Sequence, residues 1–89
     1  VKGSEKAVPE VVVNDTLRTE HGIYVTASCG KTSAMVGITE HGVQVICQNA
    51  CHRVFCGAGR HFDTIAEAVA AYKKPEMKAV ILAADQLNS

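Results

Sequence analysis

Apolar and polar residues alternate through the middle of the chain and then shift to a helical spacing, which predicts an α+β fold. Ile23, Val25, Ala27 and Cys29 fall on one side of a strand over 23–29, opposite Tyr24, Thr26 and Ser28. Ala34, Val36 and Ile38 repeat the alternation, followed by Val43, Val45 and Cys47. A period of two sends successive side chains to opposite faces of a sheet. Gly30-Lys31-Thr32 is expected to turn the chain after the first of these strands. A tight turn at Asn49-Ala50 then pairs Cys47 with His52, Val45 with Val54 and Val43 with Cys56. That register gathers Val43, Val45, Cys47, Val54 and Cys56 on one face of a four-stranded antiparallel meander.

After Gly57-Ala58-Gly59-Arg60, taken as a loop, the period becomes helical. Thr64 and Glu67 form the pattern of a capping box, in which hydroxyl and carboxylate satisfy the free amides of a first helical turn. Ile65, Ala68, Val69 and Tyr72 line one stripe of the helix that follows, and Lys73 and Lys74 fall where cations favour its C-terminus. Pro75 is placed to open a second helix, with Met77, Val80, Ile81, Ala84 and Leu87 on one face. The rival assignment for residues 78–83 is a buried strand. Two C-terminal helices packed on one face of the meander close the core. Upstream, residues 1–10 read as a flexible N-terminal arm, and Val11-Val12-Val13 as a short strand ended by a turn at Asn14-Asp15. Residues 11–89 form a single domain.

A short repeat stands out. Thr19-Glu20-His21-Gly22 recurs as Thr39-Glu40-His41-Gly42, each copy followed by a β-prone segment. Two copies are too few for a solenoid. The economical reading is one turn used twice, with glycine supplying the backbone freedom of a hairpin loop and His21 and His41 solvated.

Composition narrows the function classes. The 89 residues are 47% hydrophobic but include no Trp, two Tyr and two Phe, so the core rests on aliphatic side chains. Nine Lys plus Arg balance nine Asp plus Glu, whereas nonspecific nucleic-acid binders carry an excess of positive charge. The longest apolar run, 79–84, is too short to cross a bilayer, and the polar N-terminus does not resemble a signal peptide. A cytoplasmic protein with reduced thiols is therefore expected, rather than one whose four cysteines form disulfides.

Cys47, Cys51, His52, Cys56 and His61 supply enough soft ligands for zinc. A strand over 51–56 would separate His52 from Cys56 by about 13 Å, too far for one ion. Cys29, Cys47 and Cys56 also fall on apolar faces, where a thiol packs as a small hydrophobe. The reading is core packing, with no metal and no cofactor. Cys51 lies on the other face next to His52, but neighbouring strand residues point apart and no orienting third group is identifiable, so catalysis is not expected. Gly57 to His61 precedes a helix and includes Arg60, yet the third glycine of a dinucleotide fingerprint is missing and Asp63 repels anions.

Residues 43–72, ending in Phe62-Asp63-Thr64 and Glu67-Ala68-Val69-Ala70-Ala71-Tyr72, resemble the hairpin-then-helix end of AP2-type DNA-binding domains. The strands lack that family's aromatic and arginine pattern, so the resemblance implies a hairpin followed by a helix. The function expected from the residues is a small non-enzymatic binding module. It contacts a partner macromolecule, a protein or a second copy, through the outward sheet face. Gln44, Arg53 and Phe55 on that face and Arg60 and His61 in the loop are the candidate contacts. The alternatives are a nucleic-acid binder using Arg53, Arg60, Lys73 and Lys74, and a zinc-stabilised module. Size and the absence of catalytic motifs also suit an accessory protein of a mobile element or phage.

Overall fold

The computed structural model describes residues 10–49, 54–55 and 59–88. Its elements are β1 (Val11–Thr19), β2 (Gly22–Cys29), β3 (Thr32–Thr39), β4 (Gly42–Asn49), β5 (Val54–Phe55), β6 (Arg60–Phe62), α1 (Ile65–Ala71) and α2 (Pro75–Asn88). The strands form one antiparallel sheet in the order β1-β2-β3-β4, with β5 and β6 both bonded to the far side of β4. Both helices pack on the same face, α2 over β2 and β3, α1 toward β4 and β6. The α+β meander with two C-terminal helices is therefore the observed architecture, with β1 as a further strand at its first edge and β5 and β6 following β4.

The alternation predicted for the central strands is realised. Ile23, Val25, Ala27 and Cys29 on β2, Ala34, Val36 and Ile38 on β3, and Val43 and Val45 on β4 face the helices and are buried. Met77, Val80, Ile81 and Ala84 meet them from α2, and Ala68 from α1. Burying a side chain the size of Val80 or Ile81 stabilises by about 1.5–3 kcal/mol each. The helical face predicted for 77–87 is thus the one used, and the strand alternative for 78–83 is excluded.

Helix ends follow the sequence closely. The Thr64 hydroxyl accepts from the Glu67 backbone N–H at 3.1 Å, which is the hydroxyl half of the expected capping box. At the other end α1 stops before Lys73 and Lys74. The cation that meets its last turn is Lys78 from α2, whose Nζ donates to the Val69 carbonyl at 2.7 Å. In the same way Arg18 of β1 donates to the Leu87 carbonyl in the last turn of α2 at 2.7 Å.

Four expectations are corrected. Asn14-Asp15 is not a turn. β1 runs on to Thr19, and Asn14 is the extra residue of a bulge between Val13, opposite Ala27, and Asp15, opposite Thr26. The Asn14 side-chain amide donates to the Ser28 hydroxyl at 2.7 Å, so a polar residue that favours turns is accommodated inside the ladder. The return after β4 is wider than a two-residue turn, because Asn49 lies opposite Val54 and Gln48 opposite Phe55. The positions beside Val43 and Val45 are taken by Phe62 and Arg60, where the sequence placed Cys56 and Val54. Residues 60–62, taken as loop, are accordingly a strand. Finally, Cys47 is on the helix-facing side, opposite Ala34, but exposed, because the connection between α1 and α2 crosses there and leaves a cavity above it. Residues 1–9 of the arm, and Cys51, His52, Arg53 and Cys56, lie outside the described residues.

The repeated turns show why glycine recurs. Gly42 has φ +122°, and a Cβ there would lie 2.6 Å from the Phe62 carbonyl oxygen. Gly42→Ala is expected to destabilise by roughly 2 kcal/mol, through both left-handed strain and the clash with β6, read as a lower urea midpoint.

A pH dependence follows from the core. Burial pushes the Cys29 thiol above its ordinary pKa of 9.0, and the charge of Glu76 adds to the effect. The folded state keeps this proton where the unfolded chain has lost it. The corresponding stability is complete below about pH 9 and is lost as pH rises through the folded value. Urea midpoints measured from neutral to strongly alkaline pH are expected to fall more steeply for the parent protein than for Cys29→Ala.

Candidate functional site

The face of the sheet away from the helices carries the side chains opposite in parity to the core. One cross-strand row spans it without interruption: Leu17 of β1, Tyr24 of β2, Gly37 of β3, Gln44 of β4 and His61 of β6. Gly37 is buried in this row although it has no side chain. A Cβ built on it would lie 2.7 Å from both Cδ1 and Cε1 of Tyr24, so the tyrosine ring lies over the glycine and fills its place. A second row runs through Asp15, Thr26, Met35 and Ile46. Val12 lies opposite Ser28, toward the far end of β1.

Beside the first row a hollow of about 210 Å³ is lined by Tyr24, Gly37, Thr39, Gln44 and His61, with His41 and Gly42 at its end. That is below the size of common small-ligand pockets and closer to what one anchoring side chain of a partner occupies. The imidazole of His61 is held in place because its Nε2–H donates to the His41 carbonyl at 3.0 Å, which fixes the proton on that nitrogen.

The turns of the repeat lie side by side at this end. The Thr19 and Thr39 hydroxyls each accept from the backbone N–H of the histidine two residues on, both at 3.1 Å. The Glu40 amide donates to the His21 carbonyl at 3.2 Å. Glu40 also reaches both imidazoles, Oε1 at 3.4 Å from His21 Nδ1 and Oε2 at 3.9 Å from His41 Nε2. The groups are solvent-exposed, so these pairs orient the turns more than they stabilise them. The repeat is thus one turn used twice and also a contact between its two copies.

The candidate contacts expected from sequence separate. Gln44 and His61 are cross-strand neighbours on the outward face. Arg60 pairs with Val45 and lies on the other face, its guanidinium 5.2 Å from the Phe62 ring centre and 5.3 Å from that of Tyr72. The two rings meet edge to face at 6.0 Å, so Arg60 is occupied within the fold by cation–π contacts. Burial, with a smaller contribution from Cys47, pushes the Tyr72 hydroxyl above its ordinary pKa, while Arg60 opposes both. Phe55 lies at a register position opposite Gln48. Arg53 lies outside the described residues. Of the residues that the zinc alternative would use, Cys47 and His61 lie on opposite faces of the sheet, so one ion does not reach both, while Cys51, His52 and Cys56 lie outside the described residues. Among the described residues no three His, Cys, Asp or Glu side chains gather closely enough for a metal, and no helix is long and apolar enough to cross a membrane.

Leu17, Tyr24 and Gly37 were not among the expected contacts. Gly37 carried the available signal, because an isolated glycine within an alternating strand marks a close approach. Gly37→Ala is expected to lower stability by about 1–3 kcal/mol through crowding. In a Tyr24→Ala background the same change should cost far less. The test is a double-mutant cycle in urea, and additivity within about 0.5 kcal/mol contradicts the ring-over-glycine contact.

Comparison with protein-family models, with curated proteins and with solved structures finds no match to this chain.

Proposed function

We propose that the protein is a non-enzymatic binding module that docks a protein partner on the outward sheet face and along the open edge of β1. The observation that carries this reading is β1 itself. All but the first of its nine residues are exposed, and it presents Val12, Val13 and Leu17 at 57%, 41% and 59% exposure. Among the described residues β2 alone pairs with it, which leaves its outer edge without a strand partner there. Such an edge is a template for an added strand, and proteins that do not use one blunt it with charged side chains, proline, bulges or a covering element. β1 contains no Lys or Pro; the bulge at Asn14 and the charge of Asp15 blunt its middle, and Arg18 is engaged by the Leu87 carbonyl, which leaves Leu17 as the exposed apolar position at the other end.

The outward face continues this edge with apolar surface at Leu17, Tyr24 and Ile46 and polar groups at Gln44 and His61. That mixture of apolar and polar groups suits a protein interface. The overall charge of zero favours a protein over a nucleic acid as the partner on this face. A cytoplasmic setting belongs to the same reading, with Cys29 and Cys47 as thiols.

The test is selection of a displayed random-peptide library on the immobilised protein. Extended sequences with apolar residues at alternate positions are expected. Leu17→Arg, at an exposed position, should weaken the selected peptides at least about tenfold while leaving the circular dichroism spectrum unchanged. If Leu17→Arg instead converts a dimer to a monomer in size-exclusion chromatography, the partner is a second copy. Peptides that bind Leu17→Arg as well as the parent protein overturn the proposed surface.

A further inference from the structure

The opposite end of the sheet, on the helix side, holds a larger cavity of about 440 Å³, within the range of small-molecule sites. Segments distant in sequence build it. Lys31 comes from the β2–β3 turn, Thr32 and Ser33 from the start of β3, and Cys47 from β4. Tyr72, Lys73 and Lys74 come from the connection between the helices, and Met77 from the first turn of α2.

Its charge is one-sided. Among the described residues three lysines line it and no carboxylate does. The nearby acid in the first turn of α2 is Glu76, which acts on the buried Cys29. The first turn of α2 adds the positive end of a helix dipole. Neutral overall composition therefore conceals a separation, with Glu20 and Glu40 at the turns of one end and Lys31, Lys73 and Lys74 at the other.

We propose that this cavity binds a small phosphate monoester. Three ammonium groups approaching from two segments suit a compact dianion, to which lysines contribute as point charges. A planar carboxylate would call instead for the fork of an arginine, and the nearest one, Arg60, is stacked against Phe62 and Tyr72. The Thr32 hydroxyl, opposite Cys29 on the helix-facing side, donates to a phosphate oxygen, and Tyr72 and Met77 receive an apolar or aromatic ester group.

Cys47 lines the cavity and is exposed, which makes its thiol a reporter of occupancy. The probe is phenyl phosphate, with phenol and sodium chloride of equal ionic strength as controls. Alkylation of Cys47 by iodoacetamide is followed by peptide mass spectrometry. Phenyl phosphate is expected to slow the reaction at least about threefold, since access to the sulfur is blocked, while neither control does. Lys73→Ala/Lys74→Ala, in an exposed non-helical connection, should raise the half-protecting concentration at least about tenfold, the scale of one lost charged contact. Lys31→Ala, in a different element, should act in the same direction and guards against a local folding defect in the double variant. An unchanged alkylation rate in millimolar phenyl phosphate, equal protection by phenol, or protection that survives all three lysine substitutions overturns the proposal. Protection by a single-stranded oligonucleotide alone overturns it in favour of nucleic-acid binding.

Discussion

Two helices lying side by side cover about 20 Å, whereas five strands at about 4.8 Å spacing span about 24 Å. Much of the structure follows from that mismatch. The helices close over β2, β3, β4 and β6, where the alternating Val, Ile and Ala residues are buried. The fifth position across the sheet is β1, and little remains to cover it. It is held by its ladder to β2 and by Arg18, which reaches the C-terminal turn of α2. A strand left open on its edge, among the described residues, is the price of building this sheet with only two helices, and it is the edge proposed for docking a partner.

Closing the other edge takes a different device. β4 runs past the end of β6, so two short strands share its outer side, β6 against Val43 to Val45 and β5 against Gln48 and Asn49. Because β6 leads directly into Thr64 and α1, the same segment that seals the edge also delivers the first helix onto the core. Phe62 and Tyr72 then clamp Arg60 at the junction. An arginine that looks free in a glycine-rich sequence is occupied by the fold, while its neighbour His61 turns to the opposite face and joins Gln44.

The two ends of the sheet differ in chemistry as its two faces do. At one end the paired Thr-Glu-His-Gly turns hold each other through Glu40, and the histidines are ordered by backbone and carboxylate contacts. At the other, lysines from the β2–β3 turn and the helix connection line a cavity together with Tyr72 and Met77. Polar groups are separated along the strands, and apolar groups are separated between the faces. The outward face and the cavity by Cys47 are consequently independent surfaces.

The sequence by itself determined what local periodicity can encode. It marked the three central strands and the residues they bury, the Thr64 cap, the proline start of the second helix and its apolar face, and the identity of the two turns. Each depends on residues within a few positions of one another, so spacing alone reveals it. Asn14-Asp15 misled because Asn and Asp favour turns locally, whereas pairing with β2 makes a bulge more stable in context. The partner of Val45 was equally beyond local reading, since alternation fixes which face a residue takes but not which strand lies beside it. Cys47 shows the same limit in another form. Parity put it on the helix side correctly, but whether a helix covers it depends on where a connection from elsewhere in the chain crosses. Of the candidate site, Gln44 and His61 were legible as outward or loop residues, but their adjacency was not, and the convergence of Lys31 with Lys73 and Lys74 left no mark in spacing. Those facts come from long-range packing, in which hydrophobic burial of one face decides where every distant polar group is finally placed.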